Sequence, residues 1–380
     1  MVCGCCGHVV RGFRDRRTHQ VRDLDGAARH IYLEFEYRRV YCPRCKGVKQ
    51  ERLLWLAESS RFTLRLEDKI GRQCRDMAIK QVAENNGLSW DQVRRIEMDY
   101  MRRILVANPL PDKIRAIGVD EVSIHKGQRY VIVVADLDQQ RPIWLGKEGR
   151  KEKDFKPFFK ELGRKRSRGI ELAVMDMWKP FRNVTRERAP KARIIFDKFH
   201  ILHHLSTALD QVRREEYKRV AGEGRTYIKG QRYTLLSHKA NLDIDGRRAL
   251  RMLLKANKRL NKAYILKESF EQLWDYNTPG WSRRFFENWK EQLKWSRLEP
   301  YRKFARMIER HWEGIESYCH PENKVSLGFM EGLNNKIRVI QRRAYGIKDL
   351  EYLRLKVITS FLKEAQIMHS KPGRPEQTDG

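Results

Sequence analysis

The stretch Ile114-Arg115-Ala116-Ile117-Gly118-Val119-Asp120-Glu121 is where this chain changes character. Just before it, Asn108-Pro109-Leu110-Pro111 breaks a region of helical periodicity and marks a linker. After it come short apolar runs with the length and composition of strands. Ile114 to Val119, Tyr130 to Ala135 and Pro142 to Leu145 read as three consecutive strands. A helix over about Glu152 to Leu162 follows, then a strand Ile170 to Met175, a short helix, and a strand Ala192 to Phe196. Three strands followed by alternating helix and strand predict a mixed sheet with helices on its faces.

The ends of those strands carry acids. Asp120 ends the first, Asp176 follows Met175, and Asp197 follows Phe196. One such carboxylate is most simply a helix N-cap. Three in one sheet domain point to chemistry that needs converging hard-oxygen ligands, as two-metal phosphodiester transfer does. Further on, Glu331, Asn335, Arg338 and Arg342 share one stripe at helical spacing, and Leu333, Ile337, Ile340 and Ala344 share the opposite one. That pattern predicts a helix whose apolar side packs on the sheet, with Glu331 facing a metal and the arginines reaching phosphates. Asp197 competes with Asp176 as the middle acid. His200, one turn past Asp197, either touches the scissile phosphate, orients a carboxylate or is structural.

Toward the N-terminus, five of the seven cysteines crowd the first 58 residues. Cys3, Cys6, Cys42 and Cys45 form two Cys-x-x-Cys knuckles, each followed by a glycine and separated by the strand-like His30 to Tyr37. Two knuckles of this kind predict a closed, structural zinc site. Cys5 is an alternative to Cys3 or Cys6. Next, Met77 to Glu84 and Trp90 to Ile96 read as two helices about Asn85-Asn86-Gly87-Leu88-Ser89. Gly87 suits a left-handed helix end, and Ser89 with Gln92 makes a capping box for the second helix. This is a helix-turn-helix pattern, with Arg94 and Arg95 expected to face DNA.

Composition agrees. Lys and Arg number 80 against 49 Asp and Glu, a net charge of +31, which calls for a polyanionic partner. No apolar run approaches the ~20 residues of a membrane helix, so no membrane partner is expected. Residues 200 to 321 are helical in pattern, basic, and hold five of the nine tryptophans: Trp274, Trp281, Trp289, Trp295 and Trp312. These are either helix-packing core or rings that stack on unpaired bases.

Taken in order, Gly118-Val119-Asp120-Glu121, Met175-Asp176-Met177-Trp178, Phe196-Asp197-Lys198-Phe199-His200 and Met330-Glu331-Gly332-Leu333-Asn334-Asn335-Lys336-Ile337 resemble the successive motifs of insertion-sequence transposases of the ISL-three type. The cysteine knuckles and the helix-turn-helix stand where that family has them. The resemblance therefore covers Cys3 to about Leu362. It implies a multidomain α+β protein: zinc ribbon over 1–58, helix-turn-helix over 60–107, an RNase H-like mixed α/β catalytic domain over 113–199, an all-helical insertion over 200–324, the final catalytic helices over 325–366, and a disordered tail over 367–380. The implied triad is Asp120, Asp176 and Glu331, with Mg²⁺ or Mn²⁺ at the catalytic site, structural Zn²⁺ in the ribbon, and Asp197 and His200 in support. Arg94, Arg95, Lys336, Arg338 and Arg342 are the expected DNA contacts. The implied activity is metal-dependent cleavage and strand transfer at terminal inverted repeats, by a homo-oligomer on double-stranded DNA in the cytoplasm, at the nucleoid. The rival functions are a domesticated, non-catalytic DNA-binding regulator and an RNase H-like structure-selective nuclease. One departure is Ser326-Leu327-Gly328, where the family pattern has Ser-Asn-Gly.

Overall fold

Val131-Ile132-Val133-Val134-Ala135 is apolar at every position, as suits a strand covered on both faces, and all five residues are fully buried. They lie in a five-stranded sheet of the computed structural model, which describes residues 1–362 apart from 28, 58–60 and 126–128. The tail expected over 367–380 lies outside the described residues. The chain divides into two compact units. One holds Met1–Pro109 and the chain from Ile340 onward, the other Leu110–Val339.

In the first unit, β1 (Asp15–Arg22), β2 (Tyr32–Cys42) and β3 (Gly47–Gln50) form an antiparallel sheet in that order. The strand expected over His30 to Tyr37 thus runs on to the second knuckle, and β1, which sequence reading missed, pairs along it. Three helices follow: α1 (Leu64–Asp76), α2 (Ile79–Asn86) and α3 (Trp90–Ala107). Gly87 ends α2 at φ 58°, and Ser89 and Gln92 close the capping box of α3. Sheet and helices are tied together at Asp23, which is buried. It accepts Thr63 Oγ1 at 2.7 Å and Arg65 Nε at 2.6 Å, while Thr63 caps α1.

The second unit is built on β4 (Ala116–His125), β5 (Arg129–Asp136), β6 (Arg141–Glu148), β7 (Leu172–Met175) and β8 (Arg193–Phe196). Their order across the sheet is β6-β5-β4-β7-β8, with β4, β7 and β8 parallel and β5 antiparallel to its neighbours. This is the order of an RNase H-like sheet, and it makes the fold the mixed α/β one expected. α4 (Glu152–Leu162), α5 (Arg164–Arg168) and α6 (Lys179–Arg188) lie between strands. Phe155, Phe158 and Phe159 of α4, with Phe181 and Val184 of α6, cover one face over Ile117, Val119, Ile132, Val134 and Met175.

After β8 the chain is helical: α7 (Lys198–Arg219), α8 (Gly222–Gly230), α9 (Arg232–Leu236), α10 (Ile244–Ala256), α11 (Lys258–Phe270), α12 (Pro279–Glu291), α13 (Glu299–Arg310) and α14 (Trp312–Glu316). Their shared core contains Leu209, Phe270, Phe286, Trp289, Tyr301 and Phe304. Trp274, Trp289 and Trp312 are buried core residues, whereas Trp281 and Trp295 are exposed.

α15 (Phe329–Arg343) and α16 (Leu350–Thr359) end the described chain. Ile358 and Leu362 bury their side chains against Tyr100 and Ile104 of α3, and the division between the two compact units falls within α15.

Candidate active site and metal centre

In the N-terminal unit, the Sγ atoms of Cys3, Cys6, Cys42 and Cys45 all lie within 4.8 Å of one another. Cys6 and Cys42 are 3.5 Å apart, Cys3 and Cys45 4.0 Å. A tetrahedron of ~2.3 Å Zn–S bonds has an edge of about 3.8 Å, so the four thiols fit one zinc ion with no open position. Backbone N–H groups of Cys6 and Cys5 outweigh burial and pull the Cys3 thiol down to about 7, favouring the ligating thiolate. Cys5 is exposed and is not one of these four. Cys74 and Cys319 are buried thiols elsewhere.

The sheet places the aspartates in a row. Val119 of β4 pairs with Met175 of β7, and Met175 pairs with Phe196 of β8. Asp120, Asp176 and Asp197 each follow a member of that aligned line, so alternation turns all three toward the same face at one end of adjacent strands. Asp120 does not end its strand, as the sequence suggested. β4 runs on to His125 in a hairpin with β5, and only its pairing with β7 stops at Val119. The acid therefore sits where one strand overruns its parallel neighbour, which opens the edge beside it.

α15 closes on this row. Gly118 lies two residues before Asp120 on the same face. A methyl group there would come within 2.5 Å of Met330 Sδ and 2.9 Å of Leu137 Cδ2. The missing side chain lets the helix lie close enough for Asn334 Nδ2 to donate to Asp120 Oδ2 at 2.6 Å. Both residues are buried, and Asn334 Oδ1 is buried without a partner among the described residues. Sequence reading passed over Asn334. Its signal is position: Met330, Leu333 and Ile337 form the buried face of α15, and Asn334 is the polar residue inside that face. Glu331 stands one turn earlier and is exposed, like Asn335, Arg338 and Arg342. Glu331 does not converge with two of the aspartates to within 4.8 Å. Lys336 lies on the same helix, half-buried.

Electrostatics in the row favour a cation. Burial pushes the Asp120 carboxyl up to about 6, against His200 and the hydrogen bonds from Glu121 N–H and Asn334. Burial would lower His200, but its bond to Asp197 Oδ2 at 3.0 Å and the charges of Asp120 and Asp176 carry it up to about 9. Its Nε2 lies 3.9 Å from Asp120 Oδ1. A positive group thus already sits among these acids. Their hard-oxygen donors and the orphaned Asn334 oxygen have the chemistry of divalent-cation ligands, while no three of Asp120, Asp176, Asp197, His200 and Glu331 gather within 4.8 Å of one another. The two middle candidates differ. Asp197 spends one oxygen on Phe199 N–H, capping α7, and the other on His200. Asp176 accepts only Met177 N–H, at 2.5 Å, among the described residues.

On the helix-turn-helix, Arg95 is exposed as expected, but Arg94 is not free to face DNA. It forms an ion pair with Asp349, the N-cap of α16, and lies over the rings of Trp90 and Tyr352. Nothing in the local pattern of α3 foretells a partner 255 residues away.

A four-cysteine ribbon, a helix-turn-helix and an RNase H-like sheet broken by a helical insertion, in this chain order, are the parts of a transposase. Comparison with known proteins bears this out segment by segment. Residues 117–357 match an ISL3 family described as transposase, residues 51–101 the helix-turn-helix domain of transposase family ISL3, and residues 1–45 the zinc-finger of transposase IS204/IS1001/IS1096/IS1165. The chain belongs to the ISL3 family of transposases. It is 32% identical to the transposase for insertion sequence element IS1001 of Bordetella parapertussis, over 95% of this chain and 89% of that one. It is 26% identical to the transposase for insertion sequence element IS1557 of Mycobacterium tuberculosis, over 98% and 87%. The helix-turn-helix marks it as DNA-binding, the cysteine cluster carries structural zinc, and among the described residues no helix is long and apolar enough to cross a membrane.

Proposed function

We propose that this transposase binds the terminal inverted repeats of an insertion sequence and cuts and joins their ends through a DDE triad of Asp120, Asp176 and Glu331. The observation that carries this reading is the row of three aspartates on adjacent strands with α15 closed onto Asp120. Two divalent ions held there would activate the attacking water or 3′-hydroxyl and stabilise the leaving oxygen. The chain's own part is positioning. Asn334 Nδ2 and the Glu121 N–H fix the two oxygens of Asp120. His200, locked through Nδ1 to Asp197, keeps its Nε2 turned toward Asp120. Asp176 retains an oxygen free for a ligand, which favours it over Asp197 as the middle acid. The exposed Arg95 and Arg338 take phosphates, and the protein works as a homo-oligomer that pairs two ends.

The test is incubation of the full chain with duplex carrying the end sequence of its own locus, with and without Mg²⁺, scoring nicks and joints. Asp120→Asn is expected to bind the end normally and to leave it uncut. Cutting by that variant at near the wild-type rate would sink the assignment.

A further inference from the structure

Two of the row's aspartates are followed, two residues on, by a large aromatic ring left in the open. Trp178 after Asp176 is 40% exposed and Phe199 after Asp197 is 48% exposed. Trp178 is far from loose. Its Nε1–H donates to the Arg150 carbonyl at 3.1 Å, and the Arg150 guanidinium stands 5.2 Å from its ring centroid and 5.0 Å from that of Tyr130. Arg150 is anchored in turn by Glu121, 3.0 Å away and next in sequence to Asp120. The indole is therefore held by a hydrogen bond and a braced cation, while part of its surface stays in solvent. Two residues of chain span at most about 7 Å, so this ring stands beside the acid row.

We propose that Trp178, braced by Arg150, is a stacking subsite for an unpaired nucleobase of the DNA strand whose phosphate lies at the aspartate row; this rests on the DNA-cutting reading above. An aromatic face with an arginine plane beside it accepts any base, because every base has a π-face. A ring fixed in advance gives up little freedom on binding, so stacking can repay the opening of a base pair. Unpairing a base next to the cut also gives the strand slack to bring its phosphate into the row. Phe199, edge-on to His200 with ring centroids 5.9 Å apart, offers a second ring at the next strand end.

A cycle of protein and DNA changes tests this with the full chain and Mg²⁺. Single abasic sites are scanned through the three nucleotides on either side of the cut in duplex end DNA. In wild type, one position is expected to lower the cleavage rate about 10-fold or more, the range of one lost base stack. Trp178→Ala should lose a similar factor on intact DNA and show no further loss at that position, with Trp178→Phe recovering most of the rate. Tyr233→Ala, which removes a 76% exposed ring of the insertion, should behave as wild type. An abasic penalty undiminished in Trp178→Ala, or no penalty at any position, overturns the subsite. Cleavage surviving in Asp120→Asn would instead overturn the reading beneath it.

Discussion

The cysteine cluster and the aspartate row both gather ligands from separate segments, yet they are built in opposite ways. Cys3 and Cys45 are 42 residues apart, and two tight turns bring all four thiols into one closed group. Asp120 and the residue that orients it, Asn334, are 214 residues apart, and a whole helical insertion intervenes. The cysteines offer soft donors that satisfy one ion completely, so the site can serve only as a structural cross-link. The carboxylates offer hard donors across three neighbouring strands and, in the function proposed above, leave room for a substrate oxygen. A closed site can be local, because a few residues supply every ligand. An open one needs a rigid scaffold to hold groups apart as well as together.

Breaking the closed site should have the largest effect. Structural zinc contributes on the order of 10 kcal/mol to the domains it closes, so Cys42→Ser is expected to lose the roughly one zinc per chain and the order of β1 to β3. Elemental analysis with proteolysis would register this, and a metal-free chain that stays protected would contradict it. In the open site, side-by-side assays of Asp176→Asn and Asp197→Asn should separate the two acids. The first is expected to abolish cleavage at unchanged melting temperature. The second, whose amide oxygen can still accept from Phe199 N–H and cap α7, is expected to leave measurable cleavage, and the reverse outcome would exchange their roles.

Smaller effects sharpen the contrast. Asn334→Ala should cost roughly 10- to 100-fold in metal affinity, as loss of a ligand's hydrogen-bond partner does, and should raise the Mg²⁺ concentration for half-maximal cleavage. An unchanged Mg²⁺ titration would make Asn334 merely structural. In the N-terminal unit, the Arg65 hydrogen bond holds Asp23 down to about 2 against burial. A depressed carboxyl stabilises the fold above its unfolded value near 4, and that stability is lost as pH falls toward 2. Asp23→Asn should therefore remove about 2 kcal/mol at pH 7 and only a few tenths of a kcal/mol at pH 2, measured by denaturant midpoints across pH. Smallest of all, Arg338→Ala should reduce the salt slope of DNA binding by about one. A slope unchanged from wild type would take Arg338 off the DNA.

By itself the sequence determined what short-range physics determines. Cys-x-x-Cys knuckles, the Gly87 helix end, the Ser89–Gln92 box, the apolar strands and the two stripes of α15 each follow from residues a few positions apart, and each is in the structure. Acids directly after short apolar runs were legible for the same reason, although β4 itself runs on past Asp120. Only the tertiary structure aligned those acids into one row, through the parallel register of β4, β7 and β8. It alone carried β4 past Asp120, drew Arg94 into an ion pair with Asp349, and set Ile358 of α16 against α3. It also gave Asn334 its purpose, because a polar residue on an apolar helix face has no meaning until its partner is in place. Local pattern fixes a helix or a strand through backbone sterics and the alternation of apolar residues. Which buried face meets which, and which carboxylate finds its donor, is decided by long-range packing, where any apolar surface of suitable shape can compete for another.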